Sequence, residues 1–393
     1  MVSLTSASNA TCDVLVVGLG IMGASAMYQL TQRGASVLGV DSGGPTNELG
    51  SSHGQGRIFR RAYWEGEHFL PLLNRSLVGW RELHDNSHDP IVSESGGLFI
   101  GAPTSTLIRG SRSTAIHCGI EHEYLSAAQV GRRFPAFSAD AAAVAVYEPE
   151  ALTLLANNAR LTYLSQSTRR GARLSYGSSV RSIAAGGRET VLVRGDGWQV
   201  SCGAVVLTAG GWIPQLLPEV APYVKPMRIP VFSFDIDDGL HRHIRAGFPA
   251  FLFEADCGSL AYGLAETRGS KSVVKVGFHN RQLSPLDDMH GPRRQPLDQE
   301  RLDVWAAVAS LLPGLRASAV GVSCVYAMSR DESFIIGEAQ AVPGLVYASA
   351  CSGHGFKFAP AIGEVLAGLA LDKDAGADIS AFSPDRFGVG ALS

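Results

Sequence analysis

Residues 13–17, Asp-Val-Leu-Val-Val, run directly into Gly18-Leu-Gly20-Ile-Met-Gly23, and this junction constrains the fold more than any other stretch. A continuous apolar, largely β-branched run without alternation is the pattern of a buried parallel strand. Met22, Ala26 and Leu30 then recur at helical spacing up to Gly34, which stops the helix, and a second strand, Ser36-Val-Leu-Gly-Val40, ends at Asp41. This is a βαβ unit with an acid 18 residues beyond the third glycine. Gly18 permits the tight turn, Gly20 lets backbone approach a pyrophosphate, and Gly23 allows close helix packing. The helix N-terminus at Ile21 and Met22 presents N–H groups and a positive dipole end to the phosphates. Asp41, with Ser42 beside it, is placed to accept hydrogen bonds from a ribose. A GxGxxG run alone is a weak signal, but strand, helix and acid in this order point to dinucleotide binding.

Composition narrows the class further. A length of 393 residues suits two or three domains, and 46% hydrophobic against 18% charged residues supports a large core. Thirty-three Lys+Arg against 36 Asp+Glu, with no basic blocks, argue against nucleic acid or an anionic membrane as partner and leave a small molecule as the default. The 45 glycines exceed the usual share of roughly 7% and call for close backbone approaches. Only five of the basic residues are lysines, so a position that keeps Lys is informative. The six cysteines, Cys12, Cys118, Cys202, Cys257, Cys324 and Cys351, are dispersed and fit reduced thiols in the cytoplasm. Val14 to Gln32 is uncharged, but its glycines and polar residues, and the lack of a preceding basic region, argue against a membrane span or signal peptide. The last residues, Gly-Ala-Leu-Ser, match no targeting address, and no metal site is expected.

Along the rest of the chain, residues 1–11 read as a loose tail. Helices are expected from Glu67 to about Asn86, near Ala127 to Phe134, from Thr153 to about Arg170 and from about Pro360 to Leu371, where Ile362, Val365, Leu366 and Leu369 share a face. Strand patterns occur at Gly97–Ile100 and Ala142–Tyr147, three times within 173–211, through Lys225 to Phe278, and at Gly344–Ser349. Ala204-Val-Val-Leu-Thr208 before Ala209-Gly-Gly211-Trp212 repeats the buried strand and glycine turn, a second nucleotide contact at Ala209, Gly210 and Trp212, with Val180 as a further one. The expected architecture is α/β (mixed α+β): a Rossmann-type nucleotide-binding domain assembled from separated segments, with an antiparallel-sheet substrate domain inserted.

Several stretches together resemble one family, the monomeric sarcosine oxidases and N-methyltryptophan oxidases among the D-amino-acid-oxidase-like flavoproteins. They are Gly18–Gly23; Gly50-Ser51-Ser52-His53-Gly-Gln-Gly-Arg57-Ile-Phe-Arg60-Arg-Ala-Tyr63; Lys275-Val-Gly-Phe-His279; Cys324-Val-Tyr326; and Asp331–Ile336 with Ser352-Gly353-His354-Gly355-Phe356-Lys357. In order and spacing they span residues 12–372. The resemblance implies FAD, with residues 12–95, 150–222 and 320–393 as its domain and 96–149 and 223–319 as the substrate domain. Ser51, Ser52, His53, Arg57, Gly353, Gly355, Phe356 and Lys357 are then cofactor contacts, Arg57 supporting the flavin or its loop. Ten glycines, at 18, 20, 23, 50, 54, 56, 210, 211, 353 and 355, are expected along FAD.

Cys324, in an apolar stretch, reads by itself as a buried inert cysteine; the resemblance implies instead a thioether to the flavin 8α-carbon. Likewise it implies that Arg60 and Lys357 clamp a substrate carboxylate, where guanidinium and ammonium would make charge-assisted hydrogen bonds. Lys275, mid-strand among β-branched residues, is either an edge position or, by resemblance, a charge over the flavin that promotes reaction with O2. Tyr262, Tyr326, His279 and His354 look like pocket lining, the alternative being core tyrosines and satisfied histidines. Arg61 and Trp64 depart from the family pattern and bear on substrate identity. The implied activity is oxidation of a secondary amino acid, N-methyl or cyclic, to an imine, with O2 reduced to hydrogen peroxide by a cytoplasmic monomer. A biosynthetic oxidase of a cyclic imino acid such as pipecolate or a piperideine carboxylate, a flavin dehydrogenase with another acceptor and a non-catalytic nucleotide-binding protein are the alternatives.

Overall fold

The computed structural model describes residues 4, 9–46, 49–187, 189–255, 258–291 and 293–388. Cys257 and the terminal Gly-Ala-Leu-Ser lie outside them, as does most of the expected N-terminal tail. The first strand starts earlier than its apolar run suggests, at Asn9, because residues 9–12 pair in register with Gln199–Cys202. It lies at the centre of a parallel sheet in which Asn9–Val17 is flanked by Val37–Val40 and Trp198–Leu207. Arg173–Ser175 extends the sheet on one side, and Leu345–Ser349 pairs parallel with the end of Trp198–Leu207 on the other. Val180–Ala185, Val191–Gly195 and Ile335–Glu338 add antiparallel pairs, so 173–207 holds four strands rather than three.

The helix Ile21–Gln32 is buried nearly all round, not along one face, since it packs on both Ala156–Arg169 and Ala359–Asp372. The approach to Ala359–Asp372 is close enough that a Cβ at Gly363 would strike Ser25. Here burial on several sides overrides the amphipathic pattern read from Met22, Ala26 and Leu30.

A second, nine-stranded sheet carries Gly97–Gly101, Glu123–Ser126 and Val144–Glu148 together with the strands from Val224 to Pro285. It is antiparallel except where Ala250–Ala255 runs parallel to Gly97–Gly101. Leu315–Ser329 pairs almost along its length with Val224–Ile236 and so crosses the boundary expected at residue 320. The helix expected from Thr153 begins only at Ala156; Leu152–Leu155 is a strand paired with Gly56–Phe59 and Val92–Ser93. Three further helices, Thr106–His117, Asp238–Ala246 and Asp298–Val308, were not expected, and the second interrupts a run read as sheet. The second of these carries its own start signal, Asp237, whose carboxylate accepts from Leu240 N.

The architecture is thus α/β, with two large sheets. The C-terminal ends of the parallel strands open toward the second sheet, which places Gly18, Thr208 and Cys324 around one cavity.

Candidate active site

The cavity runs without a break from Asp41 and Ser42, past Gly18–Met22, Val180 and Ala209–Trp212, to Cys324, Lys275 and Lys357. One end is built by the first strand, which leads into Gly18. Gly18 takes a φ of 91°, and a Cβ there would lie 2.7 Å from Thr208 O. Thr208 Oγ1 donates to Gly18 O at 2.9 Å, locking the two strand ends together. A Cβ at Gly23 would sit on the Gly18 carbonyl, so this residue packs beneath the turn and does not line the cavity. Gly54 also stays outside, against Arg57 and Lys275; the other eight expected glycines line it. Asp41 accepts from Leu19 N and Gly43 N, both at 2.8 Å, and Ser52 Oγ accepts from Ile21 N at the helix start. Arg160, which sequence reasoning missed, is buried beside this end and donates to the carbonyls of Leu19 and Pro45.

These features fit FAD on structural grounds. A glycine turn where any side chain would collide, a helix N-terminus and an acid sit at one end of a long cavity. Trp212, which follows the strand end at Thr208, also lines the cavity, its buried indole N–H lacking a hydrogen-bond partner in the structure.

Around Cys324 the 51–57 loop folds back on itself. Arg57 donates to the carbonyls of Ser51, His53 and Gly56, and its guanidinium lies 5.4 Å from the Phe356 ring centroid, so it holds the loop. His53 Nδ1 is 2.7 Å from Gly50 O, which can only accept; Nδ1 therefore carries a proton and Nε2 faces Cys324 Sγ at 3.7 Å. Burial pushes the Cys324 thiol up, but the bond to His53 and the charges of Arg57 and Lys275 bring it below its ordinary value. Acidified in this way, the thiol has the character of a reactive cysteine. His53 itself touches Cys324 without lining the cavity.

Lys275 is buried, not at an edge, because its strand is paired on both sides. Its Nζ donates to Gly56 O at 3.1 Å and lies 3.4 Å from Glu266 Oε1. Burial and Arg57 lower its pKa, with Glu266 opposing them. The same Glu266 oxygen accepts from Gly56 N at 2.9 Å, tying the loop to the sheet.

Farther along, Arg60 and Lys357 both line the cavity and both are buried. Arg60 Nη2 donates to Glu65 Oε1 at 2.5 Å, and Glu65 Oε2 is buried without a hydrogen-bond partner in the structure. Burial and the Arg60 charge push Lys357 down to about 7, against the pull of Glu65. Its ammonium donates to His354 O at 2.6 Å and to the Tyr63 hydroxyl at 3.3 Å. His354 and His279, held by burial at about 3 and about 4, are neutral at physiological pH. Tyr262 and Tyr326 lie within electrostatic reach of each other, and burial raises both, Tyr262 to about 12. All four line the cavity beside Phe356, Gly353 and Gly355. Arg61 turns away to Glu150 and Asn74, and Trp64 packs edge-on to His279, 6.2 Å between centroids, so neither lines the cavity. Glu148, buried, accepts from the backbone N–H groups of Arg61 and Ala62 and fixes the segment after Arg60.

Glu65, Tyr63, Glu148 and Glu266 were missed in the sequence. The available signal was local for the first two, an acid and a tyrosine within five residues of Arg60. The other two come from distant strands.

A cavity of this build, at the carboxyl ends of a parallel sheet and closed by a second sheet, defines a flavoprotein oxidoreductase. Residues 13–369 match the family model described as FAD dependent oxidoreductase (DAO), and the chain belongs to that family, with FAD as its cofactor. It is 34% identical over 379 residues to an N-methyl-L-tryptophan oxidase of Yersinia pestis (strain Pestoides F), an alignment covering 95% of this chain and 99% of that protein. Two solved structures share the fold at a TM-score of 0.80. NikD, an unusual amino acid oxidase essential for nikkomycin biosynthesis, is 22% identical, with 95% of this chain and 97% of that one covered. The L-proline dehydrogenase from P. horikoshii is 17% identical, with both chains covered in full. Among the described residues no helix is long and apolar enough to cross a membrane.

Proposed function

We propose that the protein oxidises a secondary amino acid, N-methylated or cyclic, to its imine and passes the electrons to O2, with hydrogen peroxide as the second product. The observation that carries this reading is the convergence of Arg60 and Lys357 in one buried pocket, continuous with the cavity that holds Cys324 and Lys275. Its similarity to an N-methyl-L-tryptophan oxidase supports the substrate class.

In this reading the guanidinium of Arg60 and the ammonium of Lys357 bind the substrate carboxylate and orient the C–H that is broken. Bound FAD supplies the hydride acceptor and the route for electrons to O2. Tyr262, Tyr326, His279 and His354 exclude water around the amine; the two histidines, neutral and buried, add no charge that would repel a protonated amine. Lys275 places a buried positive charge where negative charge develops on oxygen. Cys324, its proton drawn toward His53 Nε2, is the residue to which the flavin is linked. Ile21, Met22, Asp41, Ser42, Ser51, Ser52, Val180, Ala209, Gly210 and Trp212 hold the remainder of FAD. The protein is read as a cytoplasmic monomer, in keeping with its near-neutral charge and free cysteines.

The test is a panel of N-methyl and cyclic amino acids with peroxide readout in air. Flavin bleaching without peroxide would instead make the protein a dehydrogenase, and no bleaching with any member would remove the substrate class. In Cys324→Ala, flavin should stay in the supernatant after acid precipitation, whereas the wild-type pellet should be yellow. Lys275→Met should slow reoxidation by O2 by about 10²-fold or more, measured by stopped flow against anaerobic reduction, which should change far less. Lys357 is charged below about 7 and neutral above it. Affinity for a carboxylate ligand should therefore fall as pH rises through that value, by up to about tenfold per unit, while an amide analogue should show no such fall.

A further inference from the structure

Tyr63 lies between the two cations and belongs to none of the roles assigned above. It is fully buried, and its hydroxyl oxygen is 2.6 Å from His354 Nδ1 and 3.3 Å from Lys357 Nζ. The direction of each hydrogen bond is determined by the groups at the ends of the chain. His354 Nε2 is 3.0 Å from Glu332 O, and a carbonyl only accepts, so Nε2 carries the imidazole proton and Nδ1 is an acceptor. The Glu65 carboxylate is also near enough to raise the Tyr63 hydroxyl, but the acceptor at hydrogen-bond distance is Nδ1 at 2.6 Å, and donation there turns an oxygen lone pair toward the Lys357 ammonium. The ring face does the corresponding work for the other cation: the Arg60 guanidinium carbon lies 4.3 Å from the ring centroid, a cation–π contact inside a buried site.

We propose that Tyr63 is the positioning residue of the carboxylate clamp, its hydroxyl aiming Lys357 and its ring seating Arg60. This rests on the reading of Arg60 and Lys357 as carboxylate ligands. A lysine side chain has about 2 kcal/mol of rotamer entropy to lose, and Arg60 repels its ammonium. The carbonyl of His354 alone is one acceptor, on the residue that leads directly into the lysine's own short helical turn, Gly355–Phe358. The Tyr63 oxygen is a second acceptor from a distant segment, and two acceptors in different directions restrict the ammonium where one does not. Because the hydroxyl proton is committed to His354, Tyr63 cannot turn its donor toward Lys357.

The experiment titrates the flavin-loaded protein with benzoate and with benzamide, following the flavin absorbance. Wild type should bind benzoate more tightly, and Tyr63→Phe should lose about tenfold of that preference, equivalent to about 1.4 kcal/mol, with benzamide affinity unchanged. In a Lys357→Met background the same substitution should cost less than about twofold, since its effect runs through the lysine. An unchanged preference in Tyr63→Phe, an equal loss for both ligands, or the full loss repeated without Lys357 would each overturn the proposal. If wild type itself shows no preference for benzoate, the carboxylate clamp is wrong and the role of Tyr63 goes with it. Should Tyr63→Phe fail to accumulate with flavin, His354→Leu removes the acceptor that orients the hydroxyl and must lower the preference in the same direction; no change there also defeats the idea.

Discussion

Two cations buried side by side repel each other, and the arrangement of Arg60 and Lys357 is stable only because Glu65 is buried with them. A charge without compensation in such a place costs several kcal/mol, so the carboxylate is as much a part of the site as the cations. Its pKa shows the balance: burial pushes Glu65 up, and Arg60, with Lys357, brings it below its ordinary value. One of its oxygens remains without a hydrogen-bond partner, a cost of about 1–3 kcal/mol. That cost is typical of a site organised for a ligand and not for stability alone.

The surrounding fold supplies the rigidity that this balance needs. Glu148 holds the backbone after Arg60 from an adjoining strand, and Glu266 holds Gly56 before it. Between these anchors Arg57 donates to the loop's own carbonyls, and before them Ser51 donates to Val325 O. Residues of the 50–66 segment thus touch the helix start at Ile21, the thiol of Cys324, the ammonium of Lys275 and that of Lys357. A single segment brings the cofactor end and the substrate end into one geometry, which is why its sequence is dense in glycine, serine and arginine.

Much of this was legible in the chain because the signals are local. The Gly18–Gly23 turn declares its strand and helix by pattern alone, and the lysines at 275 and 357 stand out against 28 arginines. Where packing on several sides replaced amphipathicity, as along Ile21–Gln32 and Ala359–Asp372, the elements were found but their burial was not. The helix at Asp238–Ala246 gives no clear signal because it sits inside a run of alternating strands, and Thr153 is strand and not helix because of its long-range pairing with Ile58. Gly23 and Gly54 were expected along the cofactor, yet one packs under the turn and the other behind Arg57.

By itself the sequence determined the nucleotide-binding unit, the pairing of Rossmann-type and antiparallel sheets, and the residue types available for chemistry, since these depend on spacing over a few tens of residues. Only the tertiary structure decided that Arg60 faces Glu65, that His53 faces Cys324 and that Tyr63 stands between two cations and a histidine. Most of the partners are separated by hundreds of positions, and direction of donation is settled by a carbonyl at Glu332 that no local pattern marks. Charge compensation and hydrogen-bond direction are properties of neighbours in space, and the chain states them only once it is folded.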